Sequence, residues 1–218
     1  NQPFYGLFTY TLPHAELVQP NDKLLKRYKR LFKPDKTYAG DNGSRYNAIN
    51  HTHAQFAAMV SRLDAYVGEI LAKLEEKGFS ENTLVIFSSD NGPHEEGGAD
   101  PYFFNRDGLL RGLKRQTHEG GIRVPFIAYW KGKIPSGRVN ETPIAFWDIL
   151  PTFCDILGDE NYPNNYLNPN KKDDCFDGIS FKNTLLGNDE NQEKHDFLYW
   201  EFNETNQIAV RQGDWKLI

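Results

Sequence analysis

The run Asn82 to His94, NTLVIFSSDNGPH, decides how the chain is read. Thr83 to Ser88 is a continuous apolar, β-branched stretch, the pattern of a strand covered on both faces. Upstream, Phe56, Val60, Leu63, Val67, Ile70 and Leu74 recur every three or four residues, which predicts one long amphipathic helix from Ala54 to Leu74, stopped by Gly78. A helix leading into a buried strand is the alternation of an α/β fold. Asp90, Asn91 and Gly92 follow that strand directly, and open α/β sheets bind ligands outside the carboxyl ends of their strands. A carboxylate beside an amide oxygen suits a hard divalent cation such as Ca²⁺. A plain turn is the alternative, because these residue types are common after any strand.

Working outward, a glycine- and charge-rich segment from Asp90 to Gly121 separates this strand from the next, Arg123 to Trp130. A connection this long inside a compact domain is more often functional than idle. It gathers Arg106, Arg111, Lys114 and Arg115, with Arg123 just beyond, in an otherwise acidic chain. Cations on glycine-rich backbone can hold a tetrahedral oxyanion, whereas the plain reading is a solvated basic loop. His94 and His118 flank the loop and are equally readable as structural. Residues 3–12, PFYGLFTYTL, read as a strand stopped by Pro13, whose end delivers His14. An imidazole there could donate to an ester oxygen or transfer a proton; a surface or capping histidine is the plainer role. A polar, basic stretch follows. Further on, Ile149 to Leu157 reads as a helix with Pro151 in its first turn and Gly158 closing it. Asp159 to Asp174 reads as a polar surface loop. Phe197 to Phe202, Gln207 to Arg211 and Asp214 to Ile218 read as three short strands of a small antiparallel sheet.

Composition bounds the partners. A chain of 218 residues, 39% hydrophobic, is long enough for one domain with a sizeable core. Its net charge of −5 argues against nucleic acid or an anionic membrane as a general partner, so any anion site must be local. No apolar run approaches the roughly 20 residues needed to span a bilayer. Cys154 and Cys175 could pair or stay reduced, which leaves the compartment open. Sequons at Asn42, Asn140 and Asn203 matter only in a secreted eukaryotic protein. Asn1 is not a start methionine and no signal peptide precedes Phe4, so the expectation is an internal piece of a longer chain.

Several long motifs, in one order, resemble a known family. Asn82 to His94, Leu110 to Pro125 (LRGLKRQTHEGGIRVP) and Trp130 to Pro135 (WKGKIP) look like the type I sulfatases, the arylsulfatase branch of the alkaline phosphatase superfamily. Thr11 to His14 (TLPH), Leu63 to Gly68, Asp148 to Thr152, Phe176 to Ser180 and Val210 to Leu217 extend the likeness over most of the chain. The resemblance implies an α/β architecture with a mainly parallel sheet sandwiched by helices, here truncated. It implies that residues 1–190 form part of a catalytic domain and that 191–218 begin a small antiparallel subdomain. By position, Asp90 and Asn91 match a pair of Ca²⁺ ligands, with Mg²⁺ the alternative. Lys114 and His14 match residues that contact the substrate sulfate. His94, Arg111 and Arg115 are candidates for the rest of the substrate.

One part of the family pattern is absent. Sulfatases use a formylglycine made from Cys or Ser in a Cys/Ser-x-Pro/Ala-x-Arg motif, and neither Cys154 nor Cys175 sits in one. An earlier aspartate pair and a Lys-x-His element are absent too, and all of these precede the Thr-x-Pro-His motif. A missing N-terminal segment is therefore expected to carry the nucleophile, and the isolated chain is expected to be inactive. The implied reaction is hydrolysis of a sulfate ester, on a sulfated carbohydrate more than on an aryl sulfate, in an exported protein. A phosphate mono- or diester hydrolase of the same superfamily is the second reading, distinguished by an unmodified Thr or Ser nucleophile. A non-catalytic protein that binds sulfated glycans is the third, distinguished by salt-sensitive binding without turnover.

Overall fold

The computed structural model describes residues 2–41, 45–105, 108–159, 162 and 177–218. Arg106, Cys175, the sequon at Asn42 and almost all of the expected loop from Asp159 to Asp174 lie outside them. The chain divides into two compact units, residues 1–78 with 89–124, and residues 79–88 with 125–218.

In the first unit, helix α1 (Lys23–Leu31) starts at Asp22, whose side chain accepts the Leu25 N–H at 3.1 Å and satisfies one of the free donors of the first turn. The same carboxylate pairs with Arg62 at 2.8 Å. Arg62 belongs to helix α2 (Thr52–Glu76), which contains the whole expected helix. The two helices close over Leu25, Ala54 and Ala58, with Leu24, Tyr28 and Phe32 packed against them. A second cluster joins Phe56 and Met59 of α2 to Leu17, Ile49 and Ala99. The expected stripe is only partly buried, since Val60 is exposed and Ala54, Ala58 and Met59 take the innermost places. The short antiparallel pair β1 (Thr37–Tyr38) and β2 (Ile49–Asn50) leads into α2. Asp35, just ahead of β1, accepts the backbone N–H groups of His53 and Ala54 at 3.3 and 3.1 Å and so caps α2 from outside the helix.

Residues 3–12, expected as a strand, form none: Phe4, Tyr5, Leu7 and Phe8 are all more than 60% exposed. A strand exists only through a neighbour that pairs its backbone, and no described strand pairs with this segment.

In the second unit, β3 (Val85–Ser88) pairs antiparallel with β4 (Phe126–Tyr129), in the register Val85 opposite Tyr129 and Ser88 opposite Phe126. Between them in sequence lies the four-residue helix α3 (Glu119–Ile122). The α/β class holds, but every strand pair among the described residues is antiparallel, so the expected parallel pairing is not found there. The reason is local: the connection from Ser89 to Val124 returns the chain beside β3 in the opposite direction. β3 is half-buried along its length rather than covered on both faces, having one partner strand only. Helix α4 (Ile149–Leu157) has the expected bounds, with Pro151 in its first turn and Gly158 closing it. It is locked to α5 (Lys182–Leu186) through Thr152, whose hydroxyl donates to the Asp148 carbonyl at 2.6 Å and accepts the Phe181 N–H at 2.9 Å. The expected C-terminal sheet is present as β5 (Leu198–Phe202), β6 (Gln207–Gln212) and β7 (Trp215–Leu217), in sequence order and antiparallel.

Candidate active site

The site residues named by the sequence all fall in the first unit. The segment after Asn91 is tied backbone to backbone to the basic loop: Gly92 N–H donates to Gly121 O at 2.9 Å, and Lys114 N–H donates to Pro93 O at 2.8 Å. Gly120 N–H donates to Arg111 O at 2.8 Å, which folds the loop on itself. These ties need backbones in direct contact. A Cβ on Gly92 would stand 1.9 Å from Gly120 O, and one on Gly120 would stand 2.1 Å from Gly112 O, so only glycine fits either place.

On this frame His14, Lys114 and Arg115 converge on one carboxylate, Glu96, whose backbone N–H is held by His94. Lys114 Nζ lies 3.7 Å from Glu96 Oε2, and the Arg115 guanidinium donates to Glu96 Oε1. Arg115 takes a left-handed backbone, φ 71°, a conformation costly for a side chain of this type. The Tyr46 hydroxyl donates to Glu96 Oε2 at 3.2 Å, and the Glu96 N–H donates to His94 Nδ1 at 3.2 Å. The rings of His94 and His14 stack with centroids 5.5 Å apart. Burial pushes the Glu96 carboxyl up, but the Arg115 hydrogen bond and the Lys114 charge outweigh it and hold Glu96 below its ordinary value. Burial and the nearby Glu96 charge raise the Tyr46 hydroxyl.

His14 is not delivered by a strand end. It sits in a turn whose N–H donates to Thr11 O at 2.7 Å. Its Nδ1 is 2.6 Å from the Ala15 carbonyl, which can only accept, so Nδ1 carries a proton. Its Nε2 faces both Lys114 Nζ, 3.3 Å away, and Glu96 Oε2, 3.9 Å away.

Asp90 is exposed, and among the described residues no hydrogen bond or ion pair engages its carboxylate. Asn91 Nδ2 donates to Gly92 O at 2.9 Å, which leaves Oδ1 free to coordinate. One carboxylate and one amide oxygen fit a hard cation. They fill only part of its shell, since no cluster of three His, Cys, Asp or Glu suited to a metal occurs among the described residues. The Arg111 side chain is exposed and does not join the Glu96 cluster. Glu96 itself was not marked by the sequence. The signal was its place as an acid in a loop of cations, but the adjacent Glu95 carries the same signal and stays exposed.

The family profile described as Sulfatase matches residues 1–160. The chain is 38% identical over 154 residues to an arylsulfatase of Hemicentrotus pulcherrimus, covering 69% of this chain and 24% of that protein. It is 32% identical over 159 residues to an N-acetylgalactosamine-6-sulfatase of Canis lupus familiaris, covering 70% and 27%. The crystal structure of the PsFucS1 sulfatase from Pseudoalteromonas sp. superposes with a TM-score of 0.57 at 36% identity, covering 78% of this chain and 30% of that one. The chain thus spans about a quarter to a third of the length of the curated relatives it matches. The profile covers residues 1–160 of the 218, the first unit included, and the chain belongs to the sulfatase family.

Proposed function

We propose that the protein containing this chain hydrolyses a sulfate ester of a carbohydrate, and that this chain supplies the cationic half of the sulfate site. What supports the reading is the gathering of Lys114 and His14 at one point, on a loop tied by backbone hydrogen bonds to the segment that follows Asp90 and Asn91. In this proposal Lys114 and His14 contact the sulfate oxygens, and Lys114 stabilises the charge that builds on them as the ester bond breaks. Glu96 holds Lys114 and Arg115 in place while no anion is present. His94, Arg111 and Arg115 face the remainder of the substrate. Asp90 and Asn91 hold the metal, Ca²⁺ by their oxygen character with Mg²⁺ as the alternative.

Sulfatases generally use a formylglycine and a divalent metal. Bound here, the metal would neutralise sulfate charge, and the formylglycine, from a segment outside this chain, would supply the attacking oxygen. His14, with Nε2 beside Lys114, is placed to donate to an ester oxygen or to take part in proton transfer.

Carbohydrate is favoured over a simple aryl group because the loop beside the site is polar, with His94, Arg111 and Arg115 on it. A relative named for N-acetylgalactosamine 6-sulfate points the same way. We also propose residues 1–190 as part of the catalytic domain, residues 191–218 as the beginning of a small antiparallel subdomain, and export as the destination of the protein. No helix of the described residues is long and apolar enough to cross a membrane.

The test is sulfate release by the intact protein from a panel of sulfated oligosaccharides and aryl sulfates, before and after chelation of divalent metal. Release from a sugar sulfate that chelation abolishes is the expected result. Turnover of aryl sulfates with no sulfated sugar cleaved would overturn the substrate. Cleavage of phosphate esters alone would move the protein to the other branch of the superfamily.

A further inference from the structure

Residues 22–36 hold seven lysines and arginines against two aspartates, a charge of +5 in a chain whose total is −5, so the remainder carries −10. Neither aspartate neutralises its neighbours. Asp22 caps α1 and pairs with Arg62, while Asp35 caps α2 and faces His53 at 3.0 Å. Lys36 is taken by Asp100 at 3.0 Å. Among the described residues Lys23, Lys26, Arg27, Lys29, Arg30 and Lys33 make no ion pair, and all but Lys29 are exposed.

Their arrangement is not scattered. Lys23, Lys26, Arg27 and Arg30 are spaced three and four apart, so they share one face of α1. Leu24, Leu25 and Tyr28 point the other way and are packed on α2. Like charges at this spacing repel one another within the helix, and the surrounding acidic chain does not relieve it. A face that concentrates cations in this way, roughly 13 Å long for nine residues, is complementary to a polymer carrying anions at regular intervals.

We propose that α1 is a docking surface for a sulfated polysaccharide, separate from the Lys114 site and holding a stretch of the chain from which sulfate is removed. The choice of sulfate as the anion rests on the function proposed above. A membrane fits less well, because interfacial helices insert an apolar face and that of α1 is already buried against α2. Single-stranded nucleic acid fits less well, because its bases need aromatic platforms and the cationic face has none.

The test is binding of the intact protein to dextran sulfate across a salt series, for the wild type and for the quadruple variant Lys23→Gln, Lys26→Gln, Arg27→Gln, Arg30→Gln. Glutamine keeps helix propensity close to that of lysine and arginine. The expected result is about 10²-fold weaker binding at low salt and a salt slope shallower by about 3, with turnover of a small sulfate ester unchanged. The charge-keeping exchange Lys23→Arg, Lys26→Arg, Arg27→Lys, Arg30→Lys should restore binding, which separates charge from folding. Unchanged affinity in the glutamine variant overturns the proposal. So does equal binding of DNA, or of phosphatidylserine vesicles, through the same residues. If the protein binds dextran sulfate through α1 but releases no sulfate from any ester, the proposed reaction fails and the docking surface stands.

Discussion

Gly92→Ala puts one methyl group into the frame that joins Asp90 and Asn91, the proposed metal ligands, to Lys114. Its Cβ would lie 1.9 Å from Gly120 O, 2.9 Å from Gly120 C and 3.0 Å from Gly121 Cα, all backbone atoms that no rotamer change can move. Bringing the first contact to 3.0 Å requires the two strands of the loop to part by about 1.1 Å, the difference between the two distances. That movement stretches the Gly92 to Gly121 hydrogen bond and pulls Pro93, which accepts from Lys114 N–H, away from the lysine. Overpacking of this kind costs about 1–3 kcal/mol of stability, and a displacement of ~1 Å in a catalytic group costs ~10²-fold in rate. The assay is kcat/KM for sulfate release by the intact protein, with Ca²⁺ affinity by calorimetry and thermal unfolding alongside. Gly68→Ala is the control of opposite sign. Nothing lies within 4 Å of its Cβ in the middle of α2, so it should stabilise by about 0.5–1 kcal/mol. A Gly92→Ala protein with kcat/KM within about threefold of wild type, a difference under ~0.7 kcal/mol, would refute the claim that this backbone contact positions the site.

Two further perturbations test the framework. Asp148 is 1% exposed and accepts the Ala145 N–H at 2.7 Å, the Ile179 N–H at 2.9 Å and His195 Nε2 at 2.9 Å. Asp148→Ala strands three donors and should cost about 3–5 kcal/mol in urea unfolding; a loss below ~1 kcal/mol would mean that the network is dispensable. Burial raises the Asp100 carboxyl, but hydrogen bonds from Lys36, the Phe103 N–H and His53 outweigh it and bring it from 3.8 down to about 2. A depressed carboxyl contributes stability that is present above its unfolded value and lost as pH falls through its folded one. Asp100→Asn should therefore flatten the fall in melting temperature between pH 3.8 and about 2, and an unchanged acid limb would dismiss the pairing.

Much of this is legible in the sequence. The three- and four-residue spacing from Phe56 to Leu74 marked α2, and Pro151 with Gly158 bounded α4, because helix periodicity and end signals are local in sequence. Motif order singles out Asp90, Asn91, Lys114 and His14. Residues 3–12 carry a strand-like composition and form no strand, because aromatic, β-prone composition records a preference, and a strand also needs a partner that composition does not reveal. The place of Glu96 is not legible for a related reason. A carboxylate becomes a hub only when Lys114, Arg115 and Tyr46, distant in sequence, are folded around it.

The sequence by itself determined the family, the helices with regular apolar spacing, the C-terminal antiparallel sheet and the residue types of the proposed sulfate site, since each is written in neighbouring residues or in motif order. Only the tertiary structure decided that β3 and β4 run antiparallel, that His14 lies between the Ala15 carbonyl and Lys114, and that α1 turns outward four cations that make no ion pair among the described residues. Pairing direction, side-chain contacts and unpaired charge are set by which distant groups come within a few ångströms, and a linear sequence leaves those approaches open.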